Sequence, residues 1–318
     1  MERIMLSVII CTYNRVNLLK EALASVLGQK TNFQYEVIVG DDCSSDDTRS
    51  FLHKYHEADP GKVVLSLMQE NSGIGANWAT ALKKAQGRYI AFLDDDDYWT
   101  DKQRMQHMVD FLETHPECNL LYTNGYTFNE STGKRKLIVY PELNYPDIHE
   151  MWRGKQPCIQ LNMMMVRKNL IDECINLDDY IKYRFPIQDW NTNILLLRKA
   201  HCVFLDMPTC ELRLTEDSLS RPKAYEQVQK KYERESKMCK YLAEQFPDDP
   251  LISWDETECN QYINHILATV AFKRGDYHAA KYYTKLSGGH SLRDKCTQTW
   301  ITFQIYRLAR IIRSRISD

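Results

Sequence analysis

The first hundred residues alternate between two hydrophobic periods, and that alternation limits the fold more than any other feature. Leu6–Cys11 (LSVIIC), Tyr35–Gly40 (YEVIVG), Lys62–Met68 and Arg88–Leu93 (RYIAFL) are short apolar runs with the character of buried strands. Between them, Val16–Leu27 carries Leu19, Leu23, Val26 and Leu27 at helical spacing. Asp46–Tyr55 reads as a helix with Ser44 or Ser45 as N-cap, and Gly75–Ala85 as a helix that Gly87 ends. Continuous apolar strands alternating with helices predict βαβ units and an α/β fold, a Rossmann-like, mostly parallel sheet flanked by helices. Ligands bind such sheets beyond the carboxyl ends of the strands. The loops after Cys11, Gly40 and Leu93 are therefore the places to search for chemistry.

Further along, Cys118–Phe128 and Leu161–Arg167 read as strands, Ile187–Lys199 as a helix, and His201–Leu205 and Thr209–Leu214 as two more strands. From about Glu216 the pattern becomes helical, which predicts a domain over 1–215 and a helical C-terminal region over 216–318. There, Tyr262–Lys273 and Tyr277–Leu286 form an expected antiparallel pair joined at Gly275-Asp276. The second helix resembles half of a tetratricopeptide repeat, and one such unit cannot build a solenoid. The last segment, Lys295–Arg315, places Ile301, Ile305, Leu308 and Ile312 on one stripe, with Arg307, Arg310 and Arg313 mostly opposite. That helix either packs on its own domain or lies on an anionic membrane face.

Composition narrows the function. A net charge of −2 argues against broad nucleic-acid binding, so no nucleic-acid partner is expected. No apolar run is long enough to span a bilayer, and the N-terminus shows no secretory pattern. The ten cysteines include no Cys-x-x-Cys pair, which suits reduced thiols in a cytoplasm. The expected location is cytoplasmic, extending to the inner face of the cytoplasmic membrane if the last helix docks there.

The strongest chemical signal is Leu93-Asp94-Asp95-Asp96-Asp97, four adjacent acids at the end of an apolar strand. Such a cluster repels itself unless something positive occupies it. Hard divalent cations, Mn²⁺ or Mg²⁺, prefer carboxylate oxygens and leave coordination positions for phosphate. A second signal is Gly40-Asp41-Asp42-Cys43-Ser44-Ser45-Asp46, where a carboxylate could accept from a nucleobase or ribose, although Asp-Ser turns also cap helices. No Gly-x-Gly-x-x-Gly follows the first strand, which disfavours a dinucleotide fold.

Four separated motifs together resemble the inverting glycosyltransferases of family 2, which have the GT-A nucleotide-sugar-binding fold. They are Ser7–Asn14 (SVIICTYN), Val39–Asp46, Asn71-Ser72-Gly73 through Gly87, and Leu93–Asp97. The resemblance covers roughly residues 4–215 and implies transfer of a sugar from a UDP-sugar to an acceptor hydroxyl. It implies that Thr12, Tyr13 and Asn14 line the donor site, with Tyr13 against the uracil or ribose. Asp42 would hold the base, and Asn71, Gly73 and Asn77 would shape the donor loop, though Gly73 could serve only by adopting a positive φ. Asp94 and Asp95 would face the donor, Asp94 and Asp96 the metal. Gln188-Asp189 matches the family's dipeptide at a helix start, which makes Asp189 the catalytic base; without the resemblance it is an acid favoured by the helix dipole. Arg213 matches a residue that pairs with the diphosphate. Thr215 departs from the pattern, since relatives carry a histidine there.

Trp99 and Trp190 are open between stacking on a sugar and core packing. By analogy with the family, the acceptor is a glycan or lipid-linked glycan in surface-polysaccharide synthesis. The alternative is a non-catalytic nucleotide-sugar-binding protein whose helical tail is an interaction module. The retained acids at 94, 96 and 189 count against it.

Overall fold

A computed structural model describes residues 3–138, 158–186, 188–214, 224–249, 252 and 254–288. The amphipathic segment 295–315 and Thr215 lie outside the described residues. The chain divides into two compact units, Met1–Glu216 and Asp217–Asp318.

The first unit is built on a mixed sheet. Strands β1 (Leu6–Thr12), β2 (Tyr35–Asp41), β3 (Val63–Leu67) and β4 (Tyr89–Asp94) form its parallel part, in the order β3-β2-β1-β4. β1 and β2 are buried along their whole length, which explains their predominantly apolar sequence. Helices α1 (Val16–Leu27), α2 (Thr48–Ala58) and α3 (Ile74–Leu82) are the crossovers. α1 buries Leu19, Ala22, Leu23 and Val26, the stripe legible in its sequence.

The sheet continues through β8 (Met164–Arg167), β6 (Leu120–Asn129), β9 (Cys202–Leu214) and the short β5 (Tyr98–Trp99), while β7 (Lys134–Ile138) pairs with β6. β8 runs antiparallel to both β4 and β6, and β6 runs parallel to β9. Helix α4 (Arg104–Thr114) precedes β6, and α5 (Lys168–Cys174), α6 (Leu177–Tyr183) and α7 (Asp189–Leu197) lie between β8 and β9.

Several boundaries differ from the sequence-based expectation. Neither Ser44 nor Ser45 caps α2: Asp47 is at the cap position, and Asp46 Oδ1 accepts from Thr48 N at 3.0 Å. α3 stops at Leu82, well before Gly87. Gly87 serves the approach to β4 instead, where a Cβ would lie 2.4 Å from Ser7 N. Leu161–Met163 is a 3₁₀ turn, and only Met164–Arg167 is strand. The two expected strands near the end of the unit are one, β9. Its Leu205–Cys210 stretch faces only Thr123–Gly125 of β6, an irregularity that absorbs Pro208, which has no N–H to offer the ladder.

The second unit contains α8 (Tyr225–Gln245), α9 (Glu256–Arg274) and α10 (Tyr277–Leu286). α8 and α9 meet through Val228, Ile263 and Leu267, and α9 and α10 through Ala271, Phe272 and Ala280. Gly275 ends α9 in the left-handed region at φ 78°, and Asp276 caps α10 by accepting from Ala279 N at 3.0 Å. Among the described residues, no helix is long and apolar enough to cross a membrane.

Candidate active site

Parallel register brings the three loops together. Thr12 is opposite Asp41 across the β1–β2 pair, and Cys11 is opposite Asp94 across β1–β4. The acids that follow β2 and β4 therefore emerge on either side of the Thr12–Arg15 loop.

The four acids at the end of β4 and just after it have different surroundings. Asp95 is buried, accepts from the Thr12 hydroxyl at 2.7 Å and pairs with Arg15 at 3.2 Å. The same Arg15 Nη1 lies 3.1 Å from Asp96 Oδ2. Asp97 turns inward, where it accepts from Asn162 Nδ2 at 2.5 Å and from the Arg213 backbone N–H at 2.8 Å. Asp94 accepts from the same Asn162 Nδ2 at 3.1 Å. Burial raises the Asp95 carboxyl to about 6 against the opposing charge of Arg15. It pushes Asp94 well above the usual range, with the charges of Asp189 and Asp96 acting in the same direction. Asp97 is raised likewise, by burial first and then by Asp94 and Asp96.

Asp94, Asp96 and Asp97 each bring one carboxylate oxygen within 4.8 Å of the others. That donor set of hard oxygens, held at the cost of mutual repulsion, fits a divalent cation such as Mn²⁺ or Mg²⁺. Asp97 is not among the ligands expected from the sequence: there it is simply the last of four acids, and its turn toward the others depends on Asn162. Sequence reasoning also misses Arg15 and Asn162. The one available signal is a lone basic residue in the loop after β1.

The residues expected at the donor divide into two groups. Tyr13 is 45% exposed and available to a ligand. Asp42 accepts from Ser72 N at 2.7 Å and from Gly73 N at 2.9 Å, which leaves each oxygen a further acceptor site. Burial raises its carboxyl, and those two N–H groups oppose the rise. Asn71 is exposed beside it, its Nδ2 3.4 Å from the Asp42 carbonyl. Gly73 has φ 86°, so it does supply the positive φ, and it begins α3.

Other expected donor residues are tied into the protein. Asn14, with φ 52°, uses its side-chain oxygen to accept from Ser45 N at 2.7 Å and from Asp46 N at 3.3 Å, joining two loops. Asn77 is 1% exposed, and its amide donates to the Gly40 carbonyl at 2.9 Å, which clamps α3 to β2. Arg213 is tied in as well. Its guanidinium pairs with Glu21 and with Glu130 and lies over the Tyr98 ring at 4.9 Å, because two carboxylates compete for it there. What it offers the acid cluster is its backbone N–H. Trp99 is core: it is buried, donates to the Asn162 carbonyl at 3.2 Å and carries Arg104 over its ring at 4.7 Å.

Asp189 is the first residue of α7. Burial raises its carboxyl to about 6, and its charge is the largest contribution to the shift of Asp94 after burial itself. Asn193, one turn on, donates to the Asp189 carbonyl at 2.8 Å and exchanges two hydrogen bonds with the Ile159 backbone. The start of α7 is thereby fastened to the segment leading to Asn162. Cys158 is pushed up to about 12 by burial and by Asp189, so it is an inert thiol beside the acid.

A Rossmann-like half-sheet with carboxylates gathered at the ends of its strands, and an acid at a helix start facing them, defines the GT-A class of nucleotide-sugar transferase folds. The model of glycosyl transferase family 2 matches residues 7–175, and the chain belongs to that family. The Escherichia coli enzyme WfaP, a UDP-Glc:α-D-GlcNAc-diphosphoundecaprenol β-1,3-glucosyltransferase, is 32% identical over 141 residues, 44% of this chain and 54% of the relative. Staphylococcus aureus TarS residues 1–349 in complex with UDP-GlcNAc superimposes with a TM-score of 0.55 at 18% identity, covering 89% of this chain and 82% of that one. The Pyrobaculum calidifontis mannosyltransferase PcManGT with GDP-Man and Mn²⁺ gives 0.54 at 17% identity, covering 98% and 86%. Likeness at these identities shows the fold. The chain spans about half the length of the WfaP sequence it matches.

Proposed function

We propose that this chain is an inverting, divalent-metal-dependent glycosyltransferase that moves a sugar from a UDP-sugar to the hydroxyl of a glycan or lipid-linked acceptor in bacterial surface-polysaccharide synthesis. The observation that supports it most is the gathering of Asp94, Asp96 and Asp97 with one carboxylate oxygen each within 4.8 Å of the others, beside Asp189, whose charge acts on Asp94. A proton acceptor beside a cation site is what direct displacement at a sugar's anomeric carbon requires.

In this reading Tyr13 lies against the base, and Asp42 accepts from a base N–H through its remaining lone pairs. The Ser72 and Gly73 N–H groups hold the Asp42 carboxylate still for that contact. Asp94 and Asp96, braced by Asp97, would hold the cation, which would supply charge neutralisation for the departing diphosphate. Asp189 takes the proton of the acceptor hydroxyl as it attacks. With its carboxyl near 6, Asp189 is ionised at neutral pH and still basic enough to accept. One displacement without an enzyme nucleophile inverts the anomeric centre. WfaP, by name a UDP-glucose-dependent transferase acting on a lipid diphosphate sugar, supports the UDP donor and the lipid-linked acceptor. TarS, crystallised with UDP-GlcNAc, supports the same donor class.

Calorimetric titration of UDP, with and without Mn²⁺, tests the donor and metal assignments together. Binding that needs Mn²⁺ and disappears in Asp96→Ala is the expected result. Binding of GDP or dTDP in place of UDP would overturn the donor assignment, and metal-independent UDP binding would overturn the metal's role.

A further inference from the structure

Asn162 belongs to none of the motifs, yet it joins the acid cluster to the core. It lies in the 3₁₀ turn ahead of β8 and is 1% exposed. β8 runs antiparallel to β4 with Ala91 opposite Met165, and continuing that register by three residues sets Asn162 opposite Asp94. Its Oδ1 accepts from the Asp94 backbone N–H at 3.0 Å, which orients the amide. The NH₂ group then faces two carboxylates, Asp94 Oδ2 at 3.1 Å and Asp97 Oδ2 at 2.5 Å. An amide nitrogen has two hydrogens, one for each. The Asn162 carbonyl is held in turn by the fully buried Arg104, whose Nη2 donates at 2.8 Å, and by Trp99 Nε1 at 3.2 Å.

We propose that Asn162 is the positioning residue of the cation centre: by bridging Asp94 and Asp97 it presets their spacing, and so selects a small octahedral cation over a larger one. The inference rests on the divalent-metal reading above. Two adjacent carboxylates without a bridge repel and swing apart. A cationic side chain could hold them together, but would compete with the metal for the same oxygens. A neutral amide holds them without that competition. Mn²⁺ and Mg²⁺ demand near-regular geometry, whereas Ca²⁺ accepts irregular, expandable oxygen shells. A rigid bridge therefore favours the smaller ions, and its loss costs them more.

The test is Mn²⁺ binding to the full chain, followed by the paramagnetic resonance of free Mn²⁺, with Ca²⁺ affinity from competition. For Asn162→Ala, Mn²⁺ affinity should fall about 10- to 100-fold, the usual effect of losing a group that orients a metal ligand. Ca²⁺ affinity should fall less, so the Mn²⁺/Ca²⁺ ratio drops. Asn162→Ser, with one donor hydrogen for two carboxylates, should lie between wild type and the alanine variant; it also serves if the alanine variant does not fold. Mn²⁺ affinity within about twofold of wild type in these variants would overturn the proposal. So would an equal loss for both ions, which marks a purely structural role. A wild-type chain that binds no Mn²⁺ would instead overturn the metal reading, and this proposal with it.

Discussion

The Thr12 hydroxyl donates to Asp95 Oδ2 at 2.7 Å, joining the end of β1 to the acidic loop after β4. Those strands are neighbours in the sheet, so two motifs far apart in sequence share one hydrogen bond. The bond favours the ionised form of a buried carboxyl whose pKa is raised to about 6. Its contribution is therefore present above pH 6 and fades below it, where Asp95 takes up a proton. Thr12→Val should destabilise the protein by about 1–3 kcal/mol at pH 7.5 and by clearly less at pH 5. Denaturant melts at the two pH values check this; an equal loss at both would show that the hydroxyl does not act through the charged carboxylate.

Asp189→Asn keeps the shape of the acid and removes its ability to accept a proton. If Asp189 is the base, turnover should fall about 10²- to 10⁴-fold while UDP affinity stays near wild type. The wild-type rate should also decline as pH drops through about 6, where the buried carboxyl becomes protonated. Turnover kinetics set against calorimetric UDP binding separate this role from a donor contact, which would weaken binding as well.

Two glycines at the start of α3 are constrained for different reasons. Gly73 has φ 86°, but an added Cβ would meet no atom within 4 Å. Gly73→Ala should therefore cost only backbone strain, about 1–3 kcal/mol. At Gly75 the Cβ would lie 2.4 Å from the Phe185 carbonyl oxygen, a backbone atom that cannot rotate away. Thermal melts should rank Gly75→Ala as the more damaging; the reverse order would mean the turn at Phe185 yields readily.

Asn77 separates a clamp from a ligand contact. Asn77→Ala leaves the Gly40 carbonyl without its partner and should cost about 1–3 kcal/mol of stability. UDP affinity should not change, because the side chain is buried and bonded to the backbone of β2. A loss of UDP affinity without loss of stability would assign the residue to the donor site.

Much of the first unit is legible in the sequence because local physics governs it. The runs LSVIIC and YEVIVG are mostly apolar, since β1 and β2 are covered on both faces; the polar exceptions, Ser7 and Glu36, hydrogen-bond to each other at 2.6 Å, and α1 shows its buried stripe at helical spacing. The acids after β4 declare themselves because negative charge clustered at the end of a buried strand repels itself unless a cation offsets it. The end of α3 is not legible, because Gly87 resembles a helix terminator while its actual constraint is the backbone of Ser7, set by strand pairing.

What the sequence by itself determined is the parallel half-sheet, its crossover helices and the strand ends where chemistry gathers. These follow from hydrophobic period and from the cost of unpaired charge, both readable over a few neighbouring residues. Only the tertiary structure decided which acid faces which partner. Asp95 turns to Thr12 and Arg15, Asp97 turns to Asn162, and Arg213 turns to Glu21 and Glu130. Those choices depend on sheet order: β8 is antiparallel beside β4, and that register alone brings an otherwise unremarked asparagine opposite Asp94. Strand pairing over long sequence separations leaves little trace in local composition, because any strand of suitable polarity could occupy the same edge.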